Sequence, residues 1–347
     1  MGRRRTCQVN SKGEYNSFVV RDPNISKAIN KYISPMSSHQ DSPFPFAHFE
    51  KKIVKIEDAK VSIMTKSMQY GMAWFGGVRG YMSDDGQTIN IFRLDEHINR
   101  FLSSAKVLGV SVHYTAQELK KIFIELTEKN KPKTDTYYRP YAYADSVELS
   151  PNYLQDPEFA FALYMIPLGD YLPTNQGNSV CVSSWRRVSD NAIPSRAKIS
   201  GAYVNSALAK QEAVKNGFSE AIELSESGEV TEGSAMNVFI VRNGVLITPS
   251  ASSDILEGIT RRSVFEIAKD LGIQTKERSV DRSELYIADE VFFSGTGAQI
   301  AWVSDIDHRR IGTGTMGSVT KQIRDVFFAS VRGNNDTYKK WLTQVKI

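Results

Sequence analysis

The stretch Pro167-Leu168-Gly169-Asp170-Tyr171-Leu172-Pro173-Thr174-Asn175-Gln176-Gly177 interrupts an otherwise periodic chain, because its prolines and glycines deny it both a regular helix and a central strand. On either side, strand-like and helix-like segments alternate, so each side must build its own mixture of sheet and helix. The length of 347 residues agrees with this division, since about 150 residues make a typical domain. The expected organisation is a lead-in over 1–44, a smaller α/β domain over 45–166, a linker over 167–177 and a larger domain over 178–347. Ser34-Pro35-Met36-Ser37-Ser38 and Ser42-Pro43-Phe44-Pro45 mark the lead-in, where prolines break regular structure. Its Arg3-Arg4-Arg5 run reads as a solvated tail, since Glu14 and Asp22 follow and no amphipathic pattern accompanies the arginines.

Within the first side, the apolar runs 53–56 and 61–64 and the glycine-rich segment 70–81 are expected strands. Asp85-Gly86 is a hairpin turn ahead of the alternating strand 88–92. Ile98, Phe101, Leu102, Ala105 and Leu108 fall at helical spacing and Gly109 closes that helix. Thr115 and Glu118 form a capping box before a second helix carrying Leu119, Ile122, Phe123 and Leu126. Further strands are expected over 137–143, 159–166 and 179–184, then a helix over 201–216 that stops at Gly217. Asn243-Gly244 joins 238–241 and 245–247 as the clearest hairpin of the chain. A later helix would bury Val264, Ile267, Ala268 and Leu271 and end at Gly272.

Composition narrows the function classes. Hydrophobic residues make up 41% and charged residues 24%, the balance of a packed globular protein. Lys plus Arg exceed Asp plus Glu by only 43 − 39 = 4, too small an excess to point to nucleic acid or a membrane surface. No apolar run approaches the roughly 18 residues of a membrane span, and the first residues carry no apolar core of a secretory signal. Cys7 and Cys181 lie far apart without clustered histidines, so neither a disulfide framework nor a metal site is expected, and a reducing cytoplasm fits best. P-loop, dinucleotide, zinc-protease and serine-hydrolase motifs are all missing.

Several segments carry chemistry and a plainer reading alongside it. Ile255-Leu256-Glu257-Gly258-Ile259-Thr260-Arg261 opens a helix, either as an ordinary N-cap or as a cradle of backbone amides for an anion. Gly295-Thr296-Gly297 follows the apolar strand Val291-Phe292-Phe293, either as a tight turn or as a site where glycines admit a ligand. Arg100 pairs with Glu96 at i, i+4 if it is a surface residue. Lys198 and Glu232 have ordinary local settings, those of a solvated lysine and a loop carboxylate. His97 and His308 have no metal-like partners and read as structural.

In order along the chain, Tyr70-Gly71 to Arg79, Phe92-Arg93-Leu94-Asp95-Glu96-His97-Ile98-Asn99-Arg100, Lys198 to Tyr203, Glu232-Gly233, Leu256 to Arg262 and Leu285 to Thr296 resemble the branched-chain amino-acid aminotransferase family. These are pyridoxal 5′-phosphate enzymes of fold type IV, and the resemblance covers about 49–345. It implies a mixed α/β, α+β architecture with a smaller N-terminal α/β domain and a larger C-terminal domain built on a barrel-like sheet. It also implies a homodimer acting on small-molecule amino acid and 2-oxo acid substrates.

Under this resemblance Lys198 is the Schiff-base lysine that also moves the substrate proton, Glu232 pairs with the pyridine nitrogen, and Tyr203 hydrogen-bonds the cofactor's O3′. Arg100, Leu256, Ile259, Thr260 and Thr296 belong to the cofactor grip, chiefly around its phosphate. Tyr137, Arg139, Gly297 and Ala298 match the substrate-carboxylate site, with Tyr70, Phe75, Arg79 and Tyr171 around the side-chain pocket; a plain strand-edge ion pair of Arg139 with Asp145 is the alternative. The chain departs from the family pattern at Gly76, Leu168, Met236, Ala301 and Trp302. The implied reaction passes the amino group of an L-amino acid, branched-chain by resemblance, to 2-oxoglutarate by a ping-pong mechanism. The departures keep open a D-amino-acid or (R)-amine transaminase or an aminodeoxychorismate-type lyase on the same fold, and a cofactor-binding protein without turnover is the reading from another class.

Overall fold

The computed structural model describes residues 42–347, so Cys7, the arginine run and nearly all of the lead-in lie outside the described residues. The chain builds two nine-stranded sheets. In the first, the strands run in the order Leu342–Lys346, Thr88–Phe92, Val78–Met82, Thr136–Tyr143, Glu158–Pro167, Phe46–Phe49 and Lys52–Lys55, with Ala73–Phe75 added on Thr136–Tyr143 and Ser111–Val112 on Glu158–Pro167. Helices Leu94–Leu108 and Ala116–Asn130 cover this sheet. Their apolar stripes, Leu94, Ile98, Phe101 and Ala105 with Leu119, Ile122, Phe123 and Leu126, form one core with Ile89, Ile91, Tyr138 and Leu163. The expected capping box is present: Glu118 N donates to Thr115 Oγ1 at 3.3 Å and Thr115 N donates to Glu118 Oε2 at 2.7 Å.

The second sheet runs Val230–Gly233, Glu220–Leu224, Asn178–Arg186, Gln299–Ile306, Glu290–Gly295, Asn237–Arg242, Val245–Thr248 and Thr275–Glu277, with Arg309–Arg310 on Gln299–Ile306. It curls into a half-barrel. Alternation along its strands separates two cores. Val238 and Phe293 face one side with Val182 and Ile222, while Phe239 and Phe292 face the other against Val264 and Ile267 of helix Ile259–Asp270 and Phe327 of helix Ser318–Arg332. The hairpin turn at Asn243 and Gly244 has φ of 50° and 74°, the positive pair that a type I′ turn requires.

Two expectations fail for tertiary reasons, and the end of the chain returns to the first sheet. Residues 61–64 form an exposed turn rather than a strand, because no strand edge is offered to them and the chain instead enters the short helix Lys66–Tyr70. Leu271 points outward, since the helix ends at Asp270 and Gly272 turns the chain at φ 71°. The last strand, Leu342–Lys346, leaves the second half and pairs along Thr88–Phe92 of the first sheet. Trp341 anchors that return. It stacks on Tyr338 with ring centroids 4.1 Å apart, meets Phe92 edge-on, and carries the Arg93 guanidinium 4.2 Å above its ring.

Trp341→Ala is therefore expected to cost about 3–5 kcal/mol in urea denaturation, the range for a buried aromatic truncated in a core that cannot collapse. An unchanged urea midpoint would show that the returning strand does not hold the two sheets together.

Candidate active site

A cavity of about 410 Å³ opens between the two sheets, with the linker residues Leu168 and Tyr171 on its wall. Lys198 reaches it from a segment pinned to the first sheet. Phe75 N donates to Lys198 O at 3.1 Å, Lys198 N donates to Ser104 Oγ at 3.4 Å, and Ile199 bridges Trp74. Gly71 permits this approach: its φ is 67° and an added Cβ would stand 3.0 Å from Gly201 Cα. The Lys198 amine hydrogen-bonds the Tyr203 hydroxyl, five residues along at the start of helix Tyr203–Lys215. Burial, followed by the nearby Arg100 cation, lowers the Lys198 pKa to about 7 while Glu232 opposes the shift. Burial pushes the Tyr203 phenol upward, so it stays protonated. The solvated-lysine reading does not hold.

Beyond Lys198 one end of the cavity is acidic. Glu232 accepts from Arg187 Nη2 at 2.7 Å, from Asn237 Nδ2 at 2.8 Å and from Leu256 N at 3.3 Å. Burial raises its pKa and Arg187 pulls it back. Arg187 and Asn237 both line the cavity, and the sequence reading missed both. Asn237 follows Glu232 by five residues and its proximity was visible; Arg187 comes from a different strand end and had no local signal.

The other end gathers hydrogen-bond donors. Helix Ile259–Asp270 starts at Gly258 with no side-chain cap, and a Cβ on Gly258 would lie 2.1 Å from Asn237 Oδ1, so only glycine allows the chain to pass there. Ile259, Thr260, Thr296 and Arg100 line this end, with Arg100 Nη1 donating to Glu257 O at 3.2 Å. Glu96 pairs with Arg93 instead, at 3.3 Å. Ser294, buried on strand Glu290–Gly295 with its hydroxyl unpartnered, also lines the cavity; it too was missed, being apolar in its neighbourhood. The His97 ring, buried beside Arg100, is held well below its ordinary pKa and stays neutral.

Toward the mouth, Arg139 Nη2 donates to the Tyr137 hydroxyl at 3.1 Å and its guanidinium lies 4.4 Å over the Phe75 ring, and it makes no pair with Asp145. Gly297 and Ala298 complete this wall, while Met236 and Ile166 add apolar surface. Two expected residues stand elsewhere. Tyr70 ends helix Lys66–Tyr70 and is 41% exposed outside the cavity, because the helix axis carries it to the surface. Arg79 is buried behind the wall, where Nη2 donates to Leu168 O at 2.9 Å and Gly169 O at 3.0 Å and Nη1 to Gly297 O at 3.4 Å. Its terminal nitrogens are taken up by these carbonyls and by Asp135 Oδ2 at 3.8 Å, with Nε buried and unpartnered, so it braces 168–169 against the turn rather than facing the cavity. Of the departures, Leu168 and Met236 line the cavity; Gly76, Ala301 and Trp302 do not, and a Cβ on Gly76 would meet Pro140 Cγ at 2.6 Å. Among the described residues no group of His, Cys, Asp and Glu is arranged to hold a metal ion, and no helix is long and apolar enough to cross a membrane.

The model of the class IV amino-transferases matches residues 82–306. A probable branched-chain-amino-acid aminotransferase of Aquifex aeolicus (strain VF5) is 48% identical over 302 residues, which are 86% of this chain and 96% of that protein. Among solved structures, the branched-chain aminotransferase of the archaeon Thermoproteus uzoniensis with norvaline is 41% identical and superposes with a TM-score of 0.82 over 86% of this chain and 98% of its own. The T.th. branched-chain amino acid aminotransferase complexed with N-(5′-phosphopyridoxyl)-L-glutamate has the same identity and TM-score, 41% and 0.82, over 86% of this chain and 97% of its own. Agreement of this extent in both sequence and fold leaves one conclusion: the chain belongs to the branched-chain amino-acid aminotransferase family of the class IV aminotransferases and has their fold type IV.

Proposed function

We propose that this aminotransferase transfers the amino group of an L-amino acid with a branched apolar side chain to 2-oxoglutarate, in two half-reactions that use one site in turn. Pyridoxal 5′-phosphate is the cofactor, and when bound it supplies the electron sink that makes the α-proton of an amino acid removable. The cavity fits this group on its own chemistry: an anion-binding end with an uncapped helix start and Arg100, an acidic end at Glu232, and an amine between them. That placement of Lys198, with its pKa lowered to about 7, is the observation that carries the reading.

Each residue then has a task. Lys198 supplies the amine that holds the cofactor covalently and carries the proton between donor and acceptor carbons, which a neutral amine can do and an ammonium cannot. Tyr203, protonated, donates a hydrogen bond toward the cofactor's O3′ and keeps the Lys198 amine in place. Glu232 holds the proton on the pyridine nitrogen. Arg139 and Tyr137 orient the substrate carboxylate, and Phe75, Tyr171, Leu168 and Met236 offer apolar surface suited to a branched side chain. Glutamate fits the second half-reaction because the T.th. relative was solved with a phosphopyridoxyl-glutamate compound. A homodimer in the cytoplasm belongs to the same reading. It is supported by exposed Ile63, Met68, Tyr70, Leu149 and Leu154, on two segments tied together by Lys66 through Asp156 at 2.7 Å and Glu148 at 3.4 Å.

Four measurements check this. Titration with L-leucine, D-alanine and (R)-1-phenylethylamine should convert the cofactor absorbance with L-leucine alone, in a species of twice 38.9 kDa by light scattering; conversion only by the other two overturns the substrate assignment, and a 38.9 kDa species overturns the homodimer. In apoprotein reconstitution the rate of cofactor attachment should rise about tenfold per pH unit below the Lys198 pKa and level off above it, because the neutral amine is the reacting form. A rate flat between pH 5 and 9 would remove Lys198 from that role. Arg79→Lys should lower kcat/KM about tenfold through a displaced linker while leaving cofactor affinity unchanged, since a single ammonium nitrogen cannot span the Leu168 and Gly169 carbonyls and the Gly297 carbonyl as two guanidinium nitrogens do.

A further inference from the structure

Behind the acidic end of the cavity, two buried carboxylates share one guanidinium. Glu223 on strand Glu220–Leu224 is 0% exposed, and Glu232 lies on the antiparallel neighbour Val230–Gly233. Arg187 reaches both: Nη2 pairs with Glu232 Oε1 at 2.7 Å, and Nη1 stands 3.4 Å from Glu223 Oε2 and 3.3 Å from Ser206 Oγ. Among the described residues no other cationic side chain makes a salt bridge to either carboxylate. The second oxygen of Glu223, Oε1, is buried without a hydrogen-bond partner. Glu223 does not line the cavity, so it touches neither substrate nor cofactor.

The salt bridges of this cluster do not balance. With both carboxyls ionised, two carboxylates and one guanidinium leave one net negative charge in a buried place, which the Lys198 and Arg261 cations offset only through space, without a salt bridge. An Arg187–Glu232 pair alone would be neutral and would attract a further cation only weakly. We propose that Glu223 is a positioning residue which, by sharing Arg187, leaves Glu232 with enough uncompensated negative charge to hold the proton on the cofactor's pyridine nitrogen. The inference rests on the assignment of Glu232 made above. Geometry supports it: both contacts use terminal nitrogens of a single planar guanidinium, so the two carboxylates share in setting its position together with Ser206 Oγ and with Asp254 O, which accepts from Nε at 3.3 Å. The backbone fixes the frame, with Arg187 N donating to Leu224 O at 2.8 Å and Thr231 Oγ1 to Glu223 O at 2.9 Å. Burial raises the Glu223 carboxyl to about 7 against the pull of Arg187, and the neighbouring Glu232 and Glu220 carboxylates add to the rise.

The test reconstitutes apoprotein with ¹⁵N-labelled pyridoxal 5′-phosphate and follows the ring nitrogen by NMR as pH is varied, in Glu223→Gln, Glu223→Asp and Glu232→Gln. Glu223→Gln keeps size and hydrogen bonding but removes the charge. Its ring nitrogen should lose the proton about one pH unit lower, a tenfold weaker hold, with kcat for L-leucine down about tenfold and KM within about twofold of the parent. Glu223→Asp should return the nitrogen titration to within about threefold. A parental titration in Glu223→Gln beside a shifted one in Glu232→Gln overturns the inference and leaves the Glu232 assignment standing. No shift in either overturns both, and an equal shift in Glu223→Gln and Glu223→Asp overturns the inference by tracing the effect to shape. If Glu223→Gln does not fold, Glu223→Met carries the same expectation, because apolar groups of similar volume can replace buried ionic ones.

Discussion

The short contact between the segment 197–199 and the edge strand Ala73–Phe75 is the constraint on which the site depends. Phe75 N to Lys198 O, Lys198 N to Ser104 Oγ and the Trp74–Ile199 bridge hold the backbone of the lysine against the first sheet, although its helix belongs to the second. A lysine side chain has four rotatable bonds, and its placement means little unless its Cα is fixed. Here the fixing groups are buried: Trp74 is 0% exposed and donates from Nε1 to Phe101 O at 3.0 Å. Because the cavity wall is shared between the two sheets, every group that joins them also shapes the site. Arg79 and the return of the last strand to Thr88–Phe92 are such groups.

Electrostatics follow from that burial. The cavity sets a cationic, amide-rich end against a carboxylate end, and neither would persist as a fixed charge in water-excluded space without partners. Arg100 therefore reaches a backbone carbonyl, Glu232 collects Arg187, Asn237 and an amide, and Lys198 gives up part of its proton affinity instead. The lysine has no carboxylate within bonding distance, so burial and the Arg100 cation outweigh the opposing pull of Glu232 and make its amine available near neutral pH. Glu223 extends the same balance one layer outward.

Local pattern made much of the architecture legible. The capping box at Thr115, the left-handed closure at Gly109 and the Asn243-Gly244 hairpin depend on residues a few positions apart, and all three stand where expected. The apolar run 61–64 misled because burial needs a partner surface, which hydropathy along a chain does not reveal. Most of the candidate site residues meet in one cavity, but they were named by resemblance and not by their settings, which by themselves favoured solvated and capping roles. Arg187 and Ser294 stayed hidden since one acts across strands and the other is a serine in an apolar run.

The sequence by itself determined most of the elements and, through its ordered motifs, the family and the cofactor chemistry, because each of these is written in short-range spacing. Only the tertiary structure decided which end of the cavity is acidic, that Lys198 loses its charge near neutrality, that Arg79 braces a loop, and that Arg187 is shared between two carboxylates. These are properties of distance and burial between groups as much as 218 residues apart, as in the Arg79–Gly297 contact. No local pattern carries them, since solvation and Coulomb energy depend on where the folded chain places its charges.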